Sequence, residues 1–128
     1  LRDGLNHLLL PEIDDLTSSL ARDFPDLITI KSIGKTWEQR DIKMIEINGI
    51  VKTERAKPAI MLTGAHHARE LTSIQMPLYS VLRMLQGLVH NDQKYINMLA
   101  QDIYYVVPIV NVDGVAAISD HFIKTGEI

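Results

Sequence analysis

The chain has 128 residues, a formal net charge of −3 at pH 7 and no cysteine, and this length predicts one domain or part of one. The slight acidity gives no electrostatic reason to expect a nucleic-acid partner, and the lack of cysteine excludes disulfides and thiolate metal sites. No apolar run approaches the ~20 residues that a transmembrane segment requires. We therefore expect a globular protein with neither a nucleic-acid partner nor a transmembrane segment.

The first half of the chain predicts one helix followed by three strands. Residues 9–23 carry apolar side chains at helical spacing. Residues 27–33 alternate between apolar and polar side chains, and residues 42–47 are rich in isoleucine, so both segments predict strands. Residues 58–63 form a short continuous apolar run, which is typical of a strand buried on both faces. We expect this last strand in the interior of the sheet.

The second half predicts two helices and a further strand. An apolar stripe at helical spacing begins at Glu70 and contains Pro77, which should kink the helix. Residues 91–101 predict a second helix with Asn91 as its N-cap. Residues 102–110 have the highest β-propensity of the chain. Because strands and helices interleave, the pattern predicts an α/β sheet covered by helices.

Candidate ligand residues follow the predicted strand at residues 58–63. His67 and Glu70 lie three residues apart, where the strand pattern changes to a helical one. Zinc accepts imidazole and carboxylate ligands, and a catalytic zinc commonly has three protein ligands with one position open. The spacing alone is a weak signal, because His67 could be an ordinary loop histidine and Glu70 a first-turn carboxylate favoured by the helix dipole.

A second polar segment follows the strand at residues 102–110. It contains Asn111, Asp113 and Gly114, residue types that favour a turn, and we interpret it as one. In open α/β sheets, ligands bind near the carboxyl ends of the strands. His67 and this segment each follow a predicted strand end, so we expect them to lie at the same side of the sheet.

Four blocks of sequence resemble the zinc metallocarboxypeptidases, the carboxypeptidase A/B/T family. Residues 64–70, Gly-Ala-His-His-Ala-Arg-Glu, resemble the first zinc-ligand motif of that family. Residues 24–28 resemble its Tyr-Pro-x-Leu-Val, and residues 108–114 resemble its Pro-x-x-Asn-x-Asp-Gly turn. Residues 32–42 resemble its Ile-Gly-x-Ser-x-Glu-Gly-Arg-x-Ile, with Gln39 where glycine is usual. The resemblance covers about residues 11–118.

The resemblance implies a fold, a metal and a set of roles. The implied fold is an incomplete carboxypeptidase-like α/β domain, with a mixed, mostly parallel sheet and helices on both faces. The whole chain, residues 1–128, would be the N-terminal portion of the catalytic domain. His67 and Glu70 would be zinc ligands, and Arg69 would contact bound peptide. His66 matches a position that is not a ligand in the family.

Other functional residues of the family have no counterpart in this chain. The third zinc ligand, the glutamate general base and the arginines that hold the substrate carboxylate all lie later in the family sequence. The resemblance therefore implies a zinc peptidase that acts on the C-terminus of a peptide or protein, with no catalytic residue inside residues 1–128. The third ligand would come from the remaining part of the domain or from another subunit.

Two alternatives stay open. The chain could be an inactive carboxypeptidase-like module, with a structural or partner-binding role in a larger assembly. It could also be an unrelated α/β domain in which the motif arose by chance. The sequence assigns neither a compartment nor a side-chain specificity.

Overall fold

The structure is a computed structural model that describes residues 7–50 and 56–127. Its strands and helices interleave along the chain as predicted, and the α/β class is confirmed. The elements are, in chain order, α1 Leu10–Asp23, β1 Ile28–Lys35, β2 Asp41–Ile47, β3 Ala59–Thr63, α2 Thr72–Val89, α3 Gln93–Gln101, β4 Ile103–Val107 and α4 Val112–Thr125. None of the described helices combines the length and the apolar character needed to cross a bilayer.

The four strands form one mixed sheet in the order β1-β2-β4-β3. The pairs β1–β2 and β2–β4 are antiparallel, and β3–β4 is parallel. The predicted parallel majority therefore does not hold for the described strands. The reason lies in the connections. A short turn at residues 36–40 joins β1 to β2 and allows only antiparallel pairing, whereas α2 and α3 form the long crossover that parallel pairing of β3 and β4 needs.

Strand β3 lies at the edge of the sheet, and β4 is its only partner among the described residues. Two of its large apolar side chains are exposed, Ile60 by 42% and Met61 by 60%. The prediction of an interior strand buried on both faces is therefore wrong for the described chain. An apolar run shows that a strand is suited to burial, but it carries no information on which elements are present to bury it.

The hydrophobic core lies on one face of the sheet. The strand register brings alternate residues to that face, where Ile45 pairs with Val106 and Ile47 with Tyr104. Their side chains pack in one cluster with residues from every described helix: Ile13, Leu20, Ile74, Leu78, Val81, Met84, Leu85, Leu99, Val112 and Val115. The described helices therefore cover this one face, and the second helical layer that was predicted is not found among the described residues.

Helix α4 was missed because Asn111 was interpreted as part of a turn. Its side chain accepts a hydrogen bond from the backbone N–H of Gly114 and so caps the helix. At the other end, Gly126 adopts a left-handed conformation with φ 74°, a common helix terminator. The cap of α3 also differs from the prediction. Asp92 accepts the capping bond, while Asn91 precedes it with φ 56°.

Candidate metal centre

The loop after β3 extends the β3–β4 pairing beyond the ends of both strands. The N–H of Gly64 donates to the carbonyl of Val107 at 2.9 Å. Further along, Val110 donates to Gly64 at 3.0 Å and Asn111 donates to Ala65 at 2.9 Å. Backbone bonds on both sides thus fix the path by which the chain leaves the sheet.

The loop is also held against the first turn of α2. A Cβ on Gly64 would overlap the carbonyl oxygen of Ser73 and lie 2.7 Å from that of Pro108. The hydroxyl of Ser73 accepts the N–H of Ala65 at 2.9 Å and donates to the carbonyl of Glu70 at 2.6 Å. Ala65 is fully buried with φ 46°, a conformation that costs a non-glycine residue energy. The surrounding bonds stabilise this strained turn.

His67 and Glu70 meet at the surface that this turn creates. His67 Nδ1 lies 3.0 Å from Glu70 Oε1, and the two side chains are 75% and 52% exposed. Two ligands about 2.0–2.2 Å from one zinc ion at the tetrahedral angle would lie roughly 3.4 Å apart. The observed separation therefore fits a shared ion after a small adjustment. Arg69 lies between them in sequence, is exposed and makes no hydrogen bond or ion pair with the described residues.

The other histidine of the motif has a different partner. His66 Nε2 lies 3.0 Å from the hydroxyl of Thr63, in strand β3. Within residues 7–50 and 56–127, no group of three His, Cys, Asp or Glu residues is arranged to hold a metal. The described residues therefore supply one imidazole and one carboxylate. Their ligation of zinc, with a third ligand from outside this chain, stays a prediction.

Asp113, in the first turn of α4, is the centre of a network that the sequence did not reveal. Its carboxylate accepts hydrogen bonds from Thr36 Oγ1 at 2.7 Å, from an Arg40 guanidinium nitrogen at 2.8 Å and from the N–H of Glu38 at 3.1 Å. Partial burial raises the pKa of Asp113, but the bonds from Thr36, Arg40 and the Glu38 backbone outweigh it and hold that pKa below its usual range. The network ties the β1–β2 turn to α4.

Helix α4 also contacts the motif loop. A Cβ on Gly114 would lie only 2.6 Å from the Cβ of Ala68, the residue after His67. Three segments therefore meet at one end of the sheet: residues 36–40, 64–70 and 111–114. Strands β3 and β4 end there and β2 begins there, so the predicted convergence of the two strand-end segments is confirmed.

The sequence is similar to a family of known proteins over most of its length. The model of the family described as zinc carboxypeptidase matches residues 13–125. Among relatives, "Inactive metallocarboxypeptidase ECM14" of Saccharomyces cerevisiae is 31% identical over 80% of this chain and 24% of its own length. Carboxypeptidase B of Astacus astacus is 32% identical over 82% of this chain and 32% of its own length.

Solved structures have the same fold. Thrombin activatable fibrinolysis inhibitor superposes with a TM-score of 0.79 at 26% identity, over 88% of this chain and 27% of that one. Carboxypeptidase A of Helicoverpa armigera superposes with a TM-score of 0.72 at 25% identity, over 91% of this chain and 26% of that one. The chain thus spans about a quarter to a third of the length of these relatives.

Proposed function

The chain belongs to the zinc carboxypeptidase family, and on that premise we propose that it is the N-terminal part of a zinc-dependent metallocarboxypeptidase that releases the C-terminal residue of peptides. One observation carries the proposal. Within a motif that resembles the family's zinc site, His67 Nδ1 and Glu70 Oε1 approach to 3.0 Å. We assign these two residues as zinc ligands and Arg69 as a contact for bound peptide.

Each of these residues has a task that its chemistry suits. When bound, zinc would supply Lewis acidity, which polarises a peptide carbonyl and makes water more acidic. His67 and Glu70 would hold the ion, and the hydrogen bonds of Ala65 and Ser73 would keep these two side chains close together. The exposed guanidinium of Arg69 can donate hydrogen bonds to a carbonyl oxygen of the peptide, or two parallel hydrogen bonds to a carboxylate.

The proposal needs residues from outside this chain. Two protein ligands leave a zinc ion loosely held, so a third ligand and a general base must be supplied. The exposed apolar residues Ile60 and Met61 support a further strand that pairs with β3, since such an edge invites pairing. That strand would belong to the remaining part of the domain or to another subunit. We expect residues 1–128 alone to show no turnover, because members of a catalytic unit act together.

A second candidate function is a carboxypeptidase-like module without activity. The yeast relative that is described as an inactive metallocarboxypeptidase supports it, since that protein matches 80% of this chain. In such a module, the apolar edge of β3 would bind a structural partner. The two candidates differ in whether the complete protein binds zinc with three ligands and releases amino acids.

Zinc affinity tests the ligand assignment directly. In protein produced from the complete coding sequence, we expect His67→Ala and Glu70→Ala each to weaken zinc binding by at least the ~100-fold that loss of a supporting residue can cost, measured by competition with a chelator. His66→Ala is the matched control, because its ring contacts Thr63, and it should bind zinc like the wild type. Equal zinc affinity in all three variants would refute the assignment.

An amino-acid release assay then separates the two functions. Zinc-dependent release of the C-terminal residue from a peptide, abolished in His67→Ala, would establish the peptidase. Tight zinc binding without release, or no zinc binding at all, would favour the inactive module.

A further inference from the structure

The most exposed large apolar side chain of the described residues is that of Trp37. It is 95% exposed at the tip of the β1–β2 turn, and it is the single tryptophan of the chain. A tryptophan buries 150–250 Å² when it is packed, so leaving the ring in water forgoes a large hydrophobic gain. Tryptophan is also enriched among the residues that dominate binding energies at interfaces. The ring therefore has the character of a contact residue.

The turn that carries Trp37 is rigid. Thr36 and Arg40 exchange bonds, with the Thr36 N–H donating to the Arg40 carbonyl at 2.9 Å and the Arg40 N–H donating to Thr36 Oγ1 at 3.0 Å. Gln39 donates to the Thr36 carbonyl at 3.0 Å and adopts φ 63°. Asp113 accepts hydrogen bonds from the residues on both sides of Trp37, from the hydroxyl of Thr36 and from the N–H of Glu38. A contact residue on an ordered turn binds without a further loss of loop entropy.

The turn also lies at the end of the sheet that carries the candidate metal centre. Asp113 belongs to the first turn of α4, and the next residue, Gly114, abuts Ala68 of the motif loop. The charges close to the ring are paired, because the Arg40 guanidinium contacts both Glu38 and Asp113. The turn therefore presents an aromatic surface rather than an unpaired charge.

We propose that Trp37 contacts the polypeptide part of the substrate that precedes its C-terminal residue, and that Asp113 is the positioning residue for this contact. The inference rests on the proposed function. An enzyme that acts on the C-terminus of a polypeptide holds that terminus in its active site, while the rest of the polypeptide crosses the edge of the site. An aromatic ring packs against many side chains and so suits a stretch of variable sequence. Trp37 would thus favour long peptides and proteins over dipeptides.

The test compares a peptide of about ten residues with a blocked dipeptide that has the same C-terminal residue, using protein made from the complete coding sequence. For Trp37→Ala we expect the KM of the long peptide to rise about tenfold, a typical loss for a central aromatic contact, with kcat unchanged. The KM of the dipeptide should not change. Trp37→Phe should retain most of the preference. Tyr79→Ala, at an aromatic residue of α2 that is 57% exposed, is the matched control and should behave like the wild type.

Asp113→Asn tests the positioning role. We expect the same rise in the KM of the long peptide, and no further rise when Trp37→Ala is added, because both changes would remove one contact. Additive effects in the double variant would overturn the positioning role. Equal effects of Trp37→Ala on both substrates, or no effect on either, would overturn the contact itself.

Two measurements keep this inference separate from the proposed function. Binding of the long peptide to the Glu70→Ala variant can be measured by calorimetry without any turnover, and adding Trp37→Ala should weaken that binding about tenfold. If the complete protein with both ligands intact releases no amino acid but the loss of binding is still observed, the peptidase is refuted and the contact is retained. The fluorescence of Trp37 is the part of the wild-type emission that is missing in Trp37→Phe, and acrylamide should quench it. Failure to quench it would show that another part of the protein covers the ring, and would overturn the inference.

Discussion

Replacement of Gly64 by alanine should disrupt the junction between sheet and helix on which the candidate site is built. The added Cβ would overlap the Ser73 carbonyl and lie 2.7 Å from the Pro108 carbonyl, and both are backbone atoms that cannot rotate away. Relief requires α2 or the β4–α4 connection to move. Overpacking of this kind costs about 1–3 kcal/mol, and we expect a loss of about 3 kcal/mol because the three atoms nearest to the added Cβ all belong to the backbone.

Chemical denaturation of the complete protein measures this loss of unfolding free energy. Gly34→Ala is the matched control, since its added Cβ has no neighbour within 4 Å among the described residues, its own chain neighbours aside. Its stability should stay level or rise by about 0.4–1 kcal/mol, because alanine lowers the entropy of the unfolded chain. We also expect Gly64→Ala to weaken zinc binding, since the junction positions Glu70. Equal stabilities of the two variants would refute the argument from close backbone approach.

Three further changes have effects that the structure specifies. The folded-state pKa of Asp113 is lowered, so its stabilising effect is present above the unfolded pKa of about 3.9 and is lost as the pH falls through the folded pKa. In acid-denaturation curves, the stability difference between wild type and Asp113→Asn should therefore shrink below about pH 4. A difference that is independent of pH would contradict this. Ser73→Ala should cost about 1–3 kcal/mol in chemical denaturation, because the buried N–H of Ala65 loses its acceptor, and a change under 0.5 kcal/mol would show that another acceptor replaces it. Ile45→Ala, at a fully buried position, should cost about 2–5 kcal/mol by the same measurement, and a smaller loss would show that the core collapses around the cavity.

The candidate site was predictable to the extent that its residues are local in sequence. His67 and Glu70 lie within one motif, and the strand-to-helix change around them could be read from periodicity. The contact between residues 36–40 and Asp113 could not be read in this way, because it joins segments more than 70 residues apart. A signal existed nevertheless. Both segments lie in blocks that resemble the family, but the sequence did not show that these two segments contact each other.

The sequence by itself determined the order and type of most elements, because the signals for them act over a few residues. These signals are helix and strand periodicity, the positions of prolines, and glycines at the ends of elements. It also determined the two candidate ligands through the motif. Only the tertiary structure decided that β3 lies at the edge of the described sheet and that Asp113 joins α4 to the β1–β2 turn. Each of these depends on which distant segments pack together. That outcome is governed by the free energy of the whole fold rather than by local preference, so a local pattern does not encode it.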